Sequence, residues 1–312
     1  MDRLSKIIDR FQAKIDSGSF YEAHQTLRTI ANRFIKGNQP QLAIQLLSKG
    51  ASILTIHKEY ASASDLIGYL VQVYVDFGIS VDDKSAKMKL IDLVSGLPPS
   101  EPSLVELSTQ CLKWSSSNGG AAALKFGDCQ LHHVFGTMFL KRVEEEETDD
   151  NVNKSKYFAL AEIHLVLGTF DSVPLYVNYL IRCSEANPDT DPGVFLSRAI
   201  INYLYLNNIK FAQEAQDLFV KKLNGGIPTN GINYFDDYPL VNFIQLLLVV
   251  FKKEHASNSN QFMRLYTQYK PVLNNYGILA AIEYLGRTYF QLRLGQQQQG
   301  NMLANLMGGL FK

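Results

Sequence analysis

The chain has 312 residues, 46% of them hydrophobic, and its 30 basic and 30 acidic residues cancel. A large core is therefore affordable, while bulk charge names no nucleic-acid partner. Cys111, Cys129 and Cys183 are odd in number and far apart, a pattern that offers no disulfide framework or zinc knuckle and fits a reduced, cytoplasmic setting.

Charges at Asp2, Arg3, Lys6 and Asp9 interrupt the apolar stretch that a secretory leader needs. Helices are predicted at 3–16, 19–36, 40–56, 60–76 and 83–95, punctuated by Gly18, Gly37 and Gly78. The second, third and fourth share one register. Ala23, Ala43 and Ala63 stand 20 residues apart, and each opens a stripe at i, i+4, i+7, i+8 and i+11. The stripes are Ala23, Leu27, Ile30, Ala31 and Phe34; Ala43, Leu47, Gly50, Ala51 and Leu54; and Ala63, Ile67, Leu70, Val71 and Tyr74. This is helical periodicity repeated once per helix and turn, and small residues let the axes approach closely. The fold class it predicts is all-α, an α-solenoid of stacked helix hairpins resembling tetratricopeptide repeats.

Pro98-Pro99 stops the run, Ser100 is placed to cap, and Pro102 suits the first turn of a helix reaching about Trp114. Ser115–Ala121 reads as a loop, Asp128 as the cap of a helix to about Lys141, and Glu144–Asn153 as an acidic, solvated insertion. Helices follow near 156–167, 171–185, 192–207 and 209–223, the third capped by Asp191 with Pro192 behind it. Gly225, Gly226, Pro228 and Asn230-Gly231 then predict a short β-hairpin over 224–237. Helices over 238–253, 259–269 and 273–294 precede a low-complexity, flexible tail over 295–312. The longest apolar run, Phe243–Phe251, is broken by Gln245, so no membrane span and no direct membrane insertion are expected.

A search for chemistry finds no phosphate-cradling glycine loop, no strained nucleophilic serine and no Cys/His pair that can be singled out. Neither an enzyme nor a cofactor is expected. Cys129, His132 and His133 share a helix and could seed a metal site with His164, but no second dyad follows, and ordinary helix side chains are the preferred reading.

Two segments behave like contact surfaces. Residues 1–58 hold nine basic residues (Arg3, Lys6, Arg10, Lys14, Arg28, Arg33, Lys36, Lys49, Lys58) against four acidic ones (Asp2, Asp9, Asp16, Glu22), a balance of +5 that suits an acidic protein surface. Here Tyr21, His24 and Arg28 share a helix face beside Lys14, an arrangement that fits an interface anchor, although Tyr21 equally suits an intramolecular repeat aromatic. Further on, Ile232, Tyr234 and Phe235 precede a helix that is apolar almost all round, from Leu240 through Phe243, Ile244 and Leu247. Such a helix must be covered on every side, by a partner or by the helices that follow it.

The runs Phe20-Tyr21-Glu22-Ala23-His24-Gln25-Thr26-Leu27-Arg28, Lys125-Phe126-Gly127-Asp128 and Phe235-Asp236-Asp237-Tyr238, with the Met307–Phe311 tail, resemble the Golgi-to-ER traffic protein four family in its fungal branch. The resemblance covers nearly the whole chain. It implies a non-enzymatic cytosolic adaptor in delivery of tail-anchored proteins to the endoplasmic reticulum through the GET pathway. Residues 1–150 would dock a nucleotide-bound targeting ATPase through Lys14, Tyr21, His24 and Arg28, with Asp65 as a regulatory contact. Residues 151–294 would hold a ubiquitin-like partner through Ile232, Tyr234, Phe235, Asp236, Leu240, Phe243, Ile244 and Leu247, and through it a chaperone-associated cargo carrier. The alternative is a generic repeat receptor for chaperone or trafficking-protein tails, using Lys14, Asn32 and Arg33; those residues do not recur at equivalent repeat positions.

Overall fold

The structure, a computed structural model, describes residues 3–117, 125–145, 151–227, 231–252 and 258–295. Among them are fourteen helices and no strand: α1 (Arg3–Asp16), α2 (Phe20–Lys36), α3 (Pro40–Ile56), α4 (Tyr60–Asp76), α5 (Lys84–Ser95), α6 (Leu104–Ser117), α7 (Cys129–Glu145), α8 (Asn151–Val166), α9 (Ser172–Glu185), α10 (Gly193–Tyr205), α11 (Ile209–Leu223), α12 (Pro239–Lys252), α13 (Ser259–Asn275) and α14 (Leu279–Phe290). They form two compact units, Met1–Thr169 and Phe170–Lys312. The division follows α8 instead of falling at residue 150, because α8 packs extensively on α7. Gly136 permits that approach: a Cβ there would lie 2.9 Å from Leu165 Cγ.

In the first unit the helices pack in chain order, each on the next and the next but one from α1 to α5. Ala23, Ala43 and Ala63 have no exposed surface at all, and Leu27, Leu47, Leu54, Ile67, Leu70 and Tyr74 close the seams between helices. The turns repeat with the same step as the stripes. Gly18, Asn38, Lys58 and Gly78 all take positive φ (77°, 53°, 62° and 63°). After each, the next amide reaches back past the helix end: Ser19 N–H to Lys14 O, Gln39 to Phe34 O, Glu59 to Leu54 O and Ile79 to Tyr74 O, at 2.8–2.9 Å. This left-handed closure satisfies carbonyls that the helix end leaves open and reverses the chain within three residues. Trp114 fixes α6: it is fully buried, lies tilted against Tyr74 with ring centres 5.2 Å apart and donates its indole N–H to Ile79 O at 2.7 Å.

Capping follows the sequence at several starts. Asp83 Oδ1 accepts from Ser85 and Ala86 N–H at the head of α5, and Asp128 Oδ1 from Gln130 and Leu131 N–H at the head of α7. At α6 the Glu101 carboxylate, not Ser100, takes the Ser103 amide. Of the loop expected over 115–121, residues 115–117 instead continue α6 and 118–121 lie outside the described residues; 146–150 of the acidic insertion also lie outside them, and 151–153 open α8.

In the second unit α12 is the central rod, packed on α10, α11 and α13. Asp191 joins two helix starts: Oδ1 accepts from Gly193 N–H (2.7 Å) and Oδ2 from Leu240 N–H (2.8 Å). Burial pushes its carboxyl pKa up despite these bonds. Gly193 is required there, since a Cβ would sit 2.5 Å from Val241 N. The helices expected over 259–269 and 273–294 are Ser259–Asn275 and Leu279–Phe290. α13 runs through Pro271 to Asn275, and the break comes at Gly277, whose φ is 70°. Pro271 keeps helical φ but loses an amide bond and crowds the carbonyl four residues back; the helix nonetheless continues past it and ends at the left-handed turn.

The predicted β-hairpin over 224–237 is absent among the described residues, and Pro228, Thr229 and Asn230 lie outside them. Residues 232–235 take no regular secondary structure, and the backbone of Asn233 and Phe235 is paired with side chains of α12. Asn233 donates its N–H to Gln245 Oε1 (3.0 Å) and accepts from Gln245 Nε2 (2.7 Å). Phe235 donates to Asn242 Oδ1 (3.0 Å) and accepts from Asn242 Nδ2 (2.7 Å). Two side-chain amides thus take the place a second strand would fill.

Candidate functional site

The first candidate surface is built where α2 and α4 meet. Phe20 opens α2, and helical spacing puts Tyr21, His24 and Arg28 on one ridge. Tyr21 is 78% exposed and anchors nothing within the chain, so the intramolecular packing role fails for it. His24 is 7% exposed and its Nε2 lies 2.7 Å from Asp65 Oδ2. Arg28 Nη1 donates to both Asp65 oxygens, at 2.5 Å to Oδ2, and its guanidinium lies 5.2 Å from the Tyr69 ring centre. The His24 hydrogen bond and then the Arg28 guanidinium hold the Asp65 carboxyl below its usual range, against the opposing pull of burial. Lys14 stands apart, donating to Glu22 Oε1 (2.5 Å) and Thr26 Oγ1 (3.3 Å).

Beside this cluster runs an open groove of about 790 Å³, lined by Arg28, Asp65, Tyr69, Gln110 and Lys113 among others. Gly68 keeps its floor low, since a Cβ would meet Gln110 Oε1 at 3.0 Å. The arrangement holds a paired, half-exposed charge cluster next to a projecting tyrosine. Its chemistry suits recognition, with no nucleophile placed against a base.

The second candidate surface splits into two. Leu240, Phe243, Ile244 and Leu247 have no exposed surface, and Phe243 lies against Tyr269 with ring centres 5.4 Å apart. The chain's own helices therefore cover α12, and these four side chains serve as core in this structure. Ile232 (46% exposed) and Tyr234 (73%) project outward, with Asp236 exposed beside them and Phe235 half-buried.

The family described as Golgi to ER traffic protein 4 matches residues 37–311. The chain belongs to this family. Golgi to ER traffic protein 4 of Aspergillus fumigatus is 30% identical over 332 residues, covering 99% of this chain and 90% of that protein. The Schizosaccharomyces pombe protein is 29% identical, covering 93% and 90% respectively. The crystal structure of C. therm. Get4 superposes with a TM-score of 0.82 at 27% identity, covering 100% of this chain and 96% of that one. The resemblance carried by the three quoted runs thus holds along the whole chain. Membership of the Golgi to ER traffic protein 4 family implies a role in the GET pathway of tail-anchored protein targeting.

In this member of the family the His132 and His164 pair is structural. His132 Nε2 lies 2.9 Å from Phe126 O and the two Nδ1 atoms are 3.1 Å apart. A carbonyl only accepts, so Nε2 of His132 carries the proton, and His164 donates through Nδ1 to the bare Nδ1 of His132. Among the described residues no group of His, Cys, Asp and Glu is placed to hold a metal ion, and Cys129 is exposed, outside the pair. No described helix is long and apolar enough to cross a membrane. Sequence reasoning missed Tyr69, and it missed what Asn242 and Gln245 do. Amides inside an otherwise apolar helix were the available signal, because a buried amide needs partners.

Proposed function

We propose that this chain is a non-enzymatic cytoplasmic adaptor, built as a helical solenoid, that bridges a targeting ATPase and a ubiquitin-like partner in post-translational delivery of tail-anchored proteins. The ATPase docks on the first unit through Tyr21, His24 and Arg28, with Lys14 supplying long-range charge and Asp65 acting as the regulatory contact. The ubiquitin-like partner binds the second unit around Ile232, Tyr234, Phe235 and Asp236, with Leu240, Phe243, Ile244 and Leu247 supporting that surface from beneath. The partner in turn brings the chaperone-associated cargo carrier.

The observation that carries this reading is the His24–Arg28–Asp65 cluster beside an exposed Tyr21, because a buried histidine holding a half-exposed ion pair in place is a preorganised recognition element. The test is Arg28→Glu, which reverses a charge and sets a second carboxylate against Asp65. Stopped-flow docking of the ATPase should slow about tenfold or more at low salt. The gap should close as the screening length shrinks from about 10 Å at 0.1 M to about 3 Å at 1 M. Equal, salt-independent rates for wild type and variant would remove the ATPase site from this face.

A further inference from the structure

Asp191 is buried just before α10, and its carboxylate serves two helices at once. Oδ1 takes the Gly193 amide two residues along, a local bond that serine or asparagine also makes. Oδ2 reaches 49 residues along the chain to the Leu240 amide, in the first turn of α12. There is no slack between the two helix starts: a Cβ on Gly193 would lie 2.5 Å from Val241 N and 2.6 Å from Leu240 C. Both helices present first-turn amides to one anion, so neither start can shift without leaving a buried donor open. Asp191 therefore fixes where α12 begins. The first two turns of α12 carry Asn242 and Gln245, both buried, which hold the backbone of Phe235 and Asn233. The exposed residues Ile232, Tyr234 and Asp236 flank these two held positions.

Resting on the reading that the ubiquitin-like partner binds around Ile232, Tyr234, Phe235 and Asp236, we infer that Asp191 is a positioning residue of that surface. Through Leu240 it sets where Asn242 and Gln245 stand, and through them it orders the exposed side chains before the partner arrives. An ordered stretch loses less conformational entropy on binding than a loose one, so the effect appears in affinity. A cap that only stabilises its own helix has no such effect. The second unit supplies one for comparison: Asn208 Oδ1 accepts the Phe211 amide at the head of α11, a bond that stays within one helix start.

The experiment compares Asp191→Ser, Asp191→Asn and Asn208→Ala with the wild-type full chain. Serine keeps the local bond to Gly193 but is too short to reach Leu240, and asparagine has one acceptor oxygen where two amides need separate ones. All three should lower the melting temperature by similar amounts. Calorimetric titration with the purified full-length ubiquitin-like partner is run at a temperature where circular dichroism shows every chain folded. It should give about tenfold weaker binding for both Asp191 variants and wild-type binding for Asn208→Ala. In the partner-free chain the Asn233 and Phe235 amides should exchange about tenfold faster in the Asp191 variants alone. Unchanged affinity or unchanged exchange in the Asp191 variants overturns the positioning role and keeps the partner on this surface. Equal weakening by Asn208→Ala overturns it as well, since general stability then accounts for the loss. No binding by the wild-type chain overturns the partner assignment and the role built on it.

Discussion

Among single residues, the His132–His164 pair sets an acid limit on the first unit. Burial lowers both imidazole pKa values, and the neighbouring His132 adds to that at His164, pushing it down to about 3. In the unfolded chain each takes up a proton near the ordinary value of about 6.5. Below that pH the unfolded state holds more protons, so stability falls as pH falls. Above about pH 7 the full contribution is present. The loss approaches about 1.4 kcal/mol per pH unit for each histidine until its folded value is reached. Urea unfolding between pH 7.5 and 5 should show this slope, and a variant with His132→Gln and His164→Gln should flatten it; an unchanged slope would mean the pair is charged in the folded protein. The constellation was visible in the sequence as two histidines 32 residues apart, but nothing there distinguishes a shared hydrogen bond from a metal pair. The orienting group is Phe126 O, and a backbone carbonyl leaves no trace in side-chain patterns. For the same reason Arg28 and His24 could be placed on one face of α2, whereas their joint hold on Asp65, 37 and 41 residues away, required the packing of α2 against α4.

At the scale of the helix and its turn, the 20-residue step is written twice, in buried alanines and in left-handed turn residues. Glycine and asparagine occupy that conformation readily; Lys58 does so at a cost of about 1 kcal/mol. Lys58→Gly should therefore raise the unfolding free energy by about 0.5–1 kcal/mol in urea titrations, and a loss of stability would show that the lysine side chain contributes more than its backbone costs. The α12 helix makes the converse point. Its nearly continuous apolar sequence left open whether a partner or the chain covers it, since periodicity reports how much must be buried and not by what. With Phe243 fully buried, Phe243→Asp places an unpaired carboxylate in the core. The expected result is loss of several kcal/mol and cooperative melting of the second unit, seen by circular dichroism, with the helices of the first unit retained. A folded variant that merely releases the ubiquitin-like partner would restore Phe243 to the interface. The missing hairpin was misjudged because turn residues were legible while the competing acceptors, Asn242 and Gln245, sat in another element.

Across the molecule, composition and periodicity were enough to predict an all-α chain of stacked helices, because each helix carries its own burial pattern. The boundary between units was not legible, since it depends on α8 choosing α7 as its neighbour. On the proposed reading each unit carries one partner site and neither performs chemistry. The most direct test is sedimentation velocity on the full chain mixed with the ATPase and the ubiquitin-like partner, alone and together. The account predicts a ternary complex, reduced to the ATPase-free pair by Arg28→Glu and to the pair lacking the ubiquitin-like partner by Tyr234→Pro. Mutual displacement of the two partners, or loss of both through either substitution, would contradict it.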